Sequence, residues 1–196
     1  MSAGAPEEFA TFDRMAHLSR EQLESGLDTI REAPGSDGVL RSIVRRPQVE
    51  ERELLEEGQL ELEAGLAGDN WPRKPTSKTG APNPLAQITV MSARAAALIA
   101  DSDRIDDWAP AGDQLYVDLD IGVENLPAGA RLAIGEAVLE VTEEPHLGCG
   151  KFIRRFGVDA MKFVNSEVGR ELRLRGLNAL VVEPGPVAVG DSVRKL

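Results

Sequence analysis

The 196-residue chain has one cysteine and two histidines, and only 4% of its residues are aromatic. One cysteine excludes an internal disulfide framework and fits a reducing cytoplasm. One cysteine and two histidines cannot assemble a Cys2His2 zinc site. So few aromatics require a mainly aliphatic core. No apolar run approaches the roughly 18 residues of a membrane span. The first ten residues carry two acids and no apolar segment, which is unlike a secretory signal. Neither a Gly-x-x-x-x-Gly-Lys-[Ser/Thr] phosphate loop nor a Gly-x-Gly-x-x-Gly after a strand occurs. The chain also lacks basic excess. Its net charge of −11 argues against general nucleic-acid binding and against an anionic membrane surface.

What is present is 42% apolar and 28% charged residues, a globular composition. The charge is uneven. Residues 1–69 carry 16 acids and 7 bases, and residues 70–144 carry 12 and 6. Residues 145–196 reverse the balance with 5 acids and 9 bases. The single thiol, Cys149, lies in this basic part, in the run Pro145-His146-Leu147-Gly148-Cys149-Gly150-Lys151-Phe152. Glycines flank it and Arg154 and Arg155 follow. Positive charge favours the thiolate, which is both nucleophile and metal ligand. From spacing alone, Cys149 reads either as a reactive thiol or as a small buried hydrophobe.

The elements follow from punctuation and period. Ser19 and Gln22 have capping-box spacing, and Leu23, Leu27 and Ile30 form one apolar stripe, so a helix is expected from Ser19 until Pro34-Gly35. It is either structural or a homodimer contact. Strands are expected over 39–44, 49–56, 85–90 and 177–183. The alternation Leu115, Val117, Leu119, Ile121 marks a half-buried strand whose other face, with Asp118 and Asp120, meets solvent. Residues 131–142 read as a hairpin. Ser92 caps an alanine-rich helix, one or two short helices follow Cys149, and short strands flank Gly190-Asp191. Residues 70–84 are irregular, and Trp71 with Arg73 and Lys74 either walls a cleft or plugs the core edge. Many short strands with Gly/Pro turns predict a mainly β protein, a closed or nearly closed β-barrel with peripheral short α-helices. An N-terminal extension spans 1–36 and the barrel domain 37–196.

The order of several short pieces resembles the MOSC domain family, named for the C-terminal part of molybdenum cofactor sulfurase. They are Gly-Leu-Ala-Gly-Asp at 65–69, Gly-Val-Glu-Asn-Leu at 122–126, Ala-Ile-Gly-Glu-Ala-Val-Leu-Glu-Val-Thr at 133–142 and Gly-Cys at 148–149. Arg-Gly-Leu-Asn-Ala-Leu-Val at 175–181 and Pro-Gly-Pro-Val-Ala-Val-Gly-Asp at 184–191 complete the series. The resemblance implies a barrel of the pyruvate-kinase barrel-domain type. It implies that Cys149 matches the family cysteine, which ligates molybdenum of the molybdenum cofactor (molybdopterin) or carries sulfur. The activities implied are cofactor or sulfur transfer, or reduction of N-hydroxylated compounds. The implied partners are a cysteine desulfurase dependent on pyridoxal phosphate or a redox protein. This chain has no desulfurase domain, so it is not expected to bind pyridoxal phosphate itself. Asn125 lies in a matching motif and joins the candidate cofactor residues. A pterin phosphate needs cationic donors, for which Arg73, Lys74, Lys78, Arg154, Arg155 and Arg175 are candidates. Trp71 stands where many relatives have histidine. The competing expectation is a non-catalytic binding module with a structural cysteine.

Overall fold

The computed structural model describes residues 17–74 and 80–196. The chain enters through the expected capping box. Ser19 Oγ accepts from Gln22 N–H, and the Gln22 side chain returns a bond to the Ser19 N–H. The helix is not continuous, however. It forms α1 (Arg20–Ser25) and α2 (Leu27–Arg31), broken at Gly26. A Cβ at Gly26 would sit 2.4 Å from a Leu98 methyl, so packing on the neighbouring helix sets the break.

Strand β1 (Asp37–Arg45) follows, then β2 (Glu53–Leu55), β3 (Glu57–Glu61) and β4 (Gly65–Leu66). The strand expected over 49–56 is thus shorter, because residues 49–50 form a turn in which Glu50 takes φ +67°. A 3-10 turn at Pro84–Ala86, capped by Asn83, delays the next strand, so β5 is Ile88–Ser92. Ser92 then caps α3 (Ala93–Ala100), as its hydroxyl position foretells. Helix α4 (Ile105–Trp108) and a 3-10 turn at Ala109–Ala111 lead into β6 (Leu115–Asp118). The hairpin β7 (Arg131–Ile134) and β8 (Ala137–Val141) precedes α5 (Gly150–Val164) and α6 (Glu167–Glu171). Strands β9 (Leu177–Glu183), β10 (Gly185–Ala188) and β11 (Ser192–Lys195) complete the order.

Seven strands close a barrel in the order β1, β6, β5, β9, β8, β7, β11, with β11 returning to β1. All pairs are antiparallel except β5 and β6, whose connection through α3 and α4 is the crossover that parallel strands need. β2 is an extra strand on the far half of β1, and β10, β3 and β4 make a small second sheet.

Alternation along the strands separates two cores. Leu40, Ile43, Val90, Leu115, Val117, Leu139 and Val181 fill the barrel. Val44, Met91 and Tyr116 point outward into a second core built with Leu23, Ile30, Trp108, Phe152, Phe156 and Phe163 from the helices. The outer face of β6 is therefore not a solvent face at Tyr116, which is fully buried and donates to Trp108 O at 2.9 Å. Asp118 on that face is bound by Arg94 Nε at 2.6 Å. Among the described residues no helix is long and apolar enough to cross a membrane.

Candidate functional site around Cys149

Cys149 is the N-cap residue of α5, in extended backbone, and its side chain is exposed. The loop before it is tied to Asn165, the C-cap residue of the same helix. Gly148 N–H donates to Asn165 Oδ1 at 2.9 Å, and Asn165 Nδ2 returns to Gly148 O at 3.2 Å. Helix α5 kinks at Gly157, with φ +87°. Exposure removes the reading of Cys149 as a small buried hydrophobe. Partial burial pushes its thiol pKa up, but the backbone N–H groups of Phe152 and Lys151 and the charges of Arg175 and Arg155 outweigh this. The pKa ends below its ordinary value.

Arg155 and Arg175, whose charges act on the thiol, are organised together with Arg46 and Arg52 by the turn between α4 and β6. Arg52 Nε donates to Ala109 O at 3.2 Å, Arg155 Nη1 to Pro110 O at 2.7 Å, Arg175 Nη2 to Ala111 O at 3.0 Å and Arg46 Nη1 to Gly112 O at 2.8 Å. Four successive carbonyls thus receive four guanidinium groups from three parts of the chain, the β1–β2 connection supplying two of them. Arginine suits this use, since its fork can bond a carbonyl and still present other N–H groups.

Each arginine also has a distinct counter-charge or none. Arg46 is buried with Asp69, Nε to Oδ2 at 2.8 Å and Nη2 to Oδ1 at 2.9 Å. Arg175 Nη1 donates to the fully buried Asp113 Oδ2 at 2.5 Å, and its guanidinium lies 5.2 Å over the Phe152 ring. Arg155 pairs with Glu50, which also takes Lys151 at 3.0 Å. Those bonds hold the Glu50 carboxyl at about 2. Arg52 has no carboxylate partner among the described residues, and burial with the Arg155 and Arg46 charges lowers its pKa. Lys74 completes the group. Desolvation and the charges of Arg46, Arg52 and Lys151 bring it down to about 8.

No protein-family model and no curated protein matches the chain. Solved structures do match it. The fold is shared with YuaD and YiiM. YuaD from Bacillus subtilis superposes with a TM-score of 0.60 at 17% identity, covering 80% of this chain and 94% of that one. YiiM from Escherichia coli gives 0.52 at 19% identity over 81% of this chain and 69% of its own. YiiM from Geobacillus stearothermophilus gives 0.51 at 10%, over 81% and 73%. At these identities the likeness to YuaD and YiiM is one of fold.

On this YuaD-like barrel the sequence-derived candidates separate. Cys149, Arg155 and Arg175 come together, and Lys74 lies near Arg46, Arg52 and Lys151. Arg73 is exposed and donates to Pro47 O at 2.7 Å. Arg154 is exposed on α5 and makes no side-chain bond among the described residues. Asn125 is occupied elsewhere. Its Nδ2 donates to Gly35 O and Asp120 O, both at 2.7 Å, and its Oδ1 accepts from Lys195. Lys78 lies outside the described residues. Trp71 is half-buried, with its N–H on Asp69 Oδ1 and its indole N–H on Asn83 O. Sequence reasoning missed Arg46, Arg52, Lys151, Glu50 and Asp113. Lys151 alone had a local signal, standing two residues after the thiol.

Proposed function

We propose that the chain is a MOSC-type protein that binds the molybdenum cofactor, with the Cys149 thiolate as the metal's protein ligand. The observation that carries this is the pairing of an exposed thiol of lowered pKa with an arginine cluster gathered on one turn of a protein of net charge −11. The donor set fits such a group. Among the described residues no three His, Cys, Asp or Glu side chains converge to hold a metal. A metal arriving with its own organic ligand needs from the protein one soft donor, which a thiolate is. Its anionic part needs N–H donors, and Arg52, Lys74 and Arg155 offer them. Arg175 Nε is buried without a partner beside the same turn, a donor still to be satisfied.

When bound, the cofactor supplies a redox-active metal, suited to the reduction of N-hydroxylated compounds that the family resemblance implies. The chain's own part is to favour the Cys149 thiolate through the Lys151 and Phe152 N–H groups and to hold the guanidinium groups in register before any ligand arrives. Preorganised donors spare the ordering cost on binding. Sulfur carriage is the second reading, favoured by the exposure of the thiol. The Cys149 thiolate would then attack the outer sulfur of a persulfide held on a cysteine desulfurase's own cysteine. That S–S bond breaks, the desulfurase thiolate leaves and Cys149 carries the persulfide.

Protein expressed in a cofactor-competent host, beside Cys149→Ser and Arg52→Gln, tests the reading by metal analysis. Molybdenum in the parent chain, its loss in Cys149→Ser and its reduction in Arg52→Gln are expected. Metal-free parent protein, with the host pathway shown active, would sink it. A mass gain of one sulfur after incubation with a desulfurase, in that metal-free protein, would favour sulfur carriage.

A further inference from the structure

A second concave surface lies against the same loop as Cys149. It is a cleft of about 530 Å³ bounded by loop residues 143–147, the end of α5, α6 and the start of β9. Its wall is mainly apolar, with Val123, Pro127, Leu147, Val164 and Leu177 contributing. Glu143, Glu144 and Arg170 also line it. Two of the apolar side chains, Val123 and Leu147, are exposed although large. An apolar concavity with few polar groups is what small organic ligands occupy.

One polar group in that wall is held in a defined state. His146 lines the cleft, and its Nδ1 lies 3.4 Å from Asp113 Oδ1. Both atoms are buried and neither has another partner. A bare Nδ1 lone pair facing a carboxylate would be repelled, so the proton is favoured on Nδ1, where it is attracted to Asp113 although the contact falls outside hydrogen-bond geometry. The carboxylate cannot turn away, because Arg175 fixes its other oxygen. Gly176 lets the pair approach. With φ +100°, it presents no Cβ where one would sit 3.2 Å from His146 Nδ1 and 3.3 Å from Asp113 Oδ1. The proton on Nδ1 leaves Nε2 as an acceptor, and Nε2 is neither buried nor bonded among the described residues. Burial, then the Arg175 charge, bring the imidazole down to about 4 against the pull of Asp113, so the ring is neutral at pH 7.

We propose that this cleft is a binding site for a largely apolar organic molecule that donates an O–H or N–H to His146 Nε2, with Asp113 as the positioning residue that fixes the tautomer. The site shares loop 143–149 with the thiol and, through Asp113, Arg175 with the arginine cluster, but it does not use Cys149. It goes beyond the cofactor reading and stands or falls separately from it.

The chain's two histidines make nitrogen resonance the direct probe. Full-length protein labelled with 15N in histidine is titrated with p-cresol and, separately, with 4-methylanisole, which has the same apolar body and no hydroxyl. At neutral pH His146 is expected to show a protonated Nδ1 and a bare Nε2. p-Cresol is expected to shift the Nε2 resonance and to bind about fivefold more tightly than 4-methylanisole, the worth of one net hydrogen bond. His146→Phe, which keeps a ring in the wall, is expected to abolish that preference and retain 4-methylanisole binding. A proton on Nε2, equal affinities of the two probes for the parent chain, or no saturable binding of either would overturn the proposal. The parent titration decides the matter alone if the variant does not fold.

Discussion

Arg46 and Asp69 form a two-pronged ion pair that is almost wholly out of solvent, with 9% and 0% of their side chains exposed. The Asp69 carboxylate also accepts the backbone N–H groups of Arg46 and Trp71. This one carboxylate therefore ties the end of β1 to the segment after β4, and places the guanidinium that reaches Gly112.

Asp69→Ala is expected to destabilise the fold by about 3–5 kcal/mol, the cost of leaving a buried charge unpaired. Urea unfolding of the two proteins measures it. A loss below about 1 kcal/mol would mean that Arg46 finds water or a new partner in the variant.

Cys149 is expected to be dispensable for stability and reactive in the folded state. Because the side chain is exposed, Cys149→Ala should change stability by no more than about 0.5 kcal/mol. Iodoacetamide should alkylate the native thiol with a pH midpoint below that of the same thiol in the unfolded chain. Arg155→Gln should raise that midpoint by removing one of the charges that lower it. A native thiol that labels only on unfolding would contradict the exposed N-cap position.

Stability is expected to fall on mild acidification. The folded-state pKa of His146 is about 4, below its ordinary 6.5. Between those values the unfolded chain binds a proton that the native protein refuses. The unfolding free energy therefore drops as pH falls from about 6.5 to about 4, with a slope approaching about 1.4 kcal/mol per pH unit. His146→Phe should flatten that part of the profile. Asp69, whose folded pKa is also depressed, acts lower, its contribution being lost only as pH falls below about 4. A pH profile unchanged by His146→Phe would show that the ring is solvated in the native state.

Gly176→Ala should cost about 2 kcal/mol or more. The residue sits at φ +100°, and a Cβ there would lie 2.5 Å from Val90 O. Thermal unfolding reads the loss, and a Tm within a few degrees of the parent would refute it.

Most of the fold was legible because its signals are local. The capping box at Ser19, the cap at Ser92, the hairpin at 131–142 and the strand at 177–183 each occupy a few consecutive residues. What escaped were features decided by distant neighbours. Tyr116 sits on the polar phase of an alternating strand, yet Trp108 and the helices cover that face. Of the site, the thiol and its nearby bases could be read. Arg46 and Arg52 could not, because regional charge counting placed them in the acid-rich first third, and they join Arg155 and Arg175 only through a turn some 60 residues on. Asp113 was invisible for a related reason. Its two partners, His146 and Arg175, come from either side of α5, and no spacing announces a contact between three such positions.

The seam between β1 and β11 sets Asp37 opposite Arg194 and Val39 opposite Ser192. During synthesis the first barrel strand emerges some 150 residues before the strand that seals it. Until then one edge of β1 has no partner and the apolar interior has an open side, the condition in which a nascent chain is most prone to pair wrongly. The helices α1 and α2 leave the ribosome before β1, but their docking surface on α3 and α5 does not yet exist. Closure is therefore a late event, and substitutions along residues 192–195 are expected to act on the yield of folded protein more than on the finished molecule.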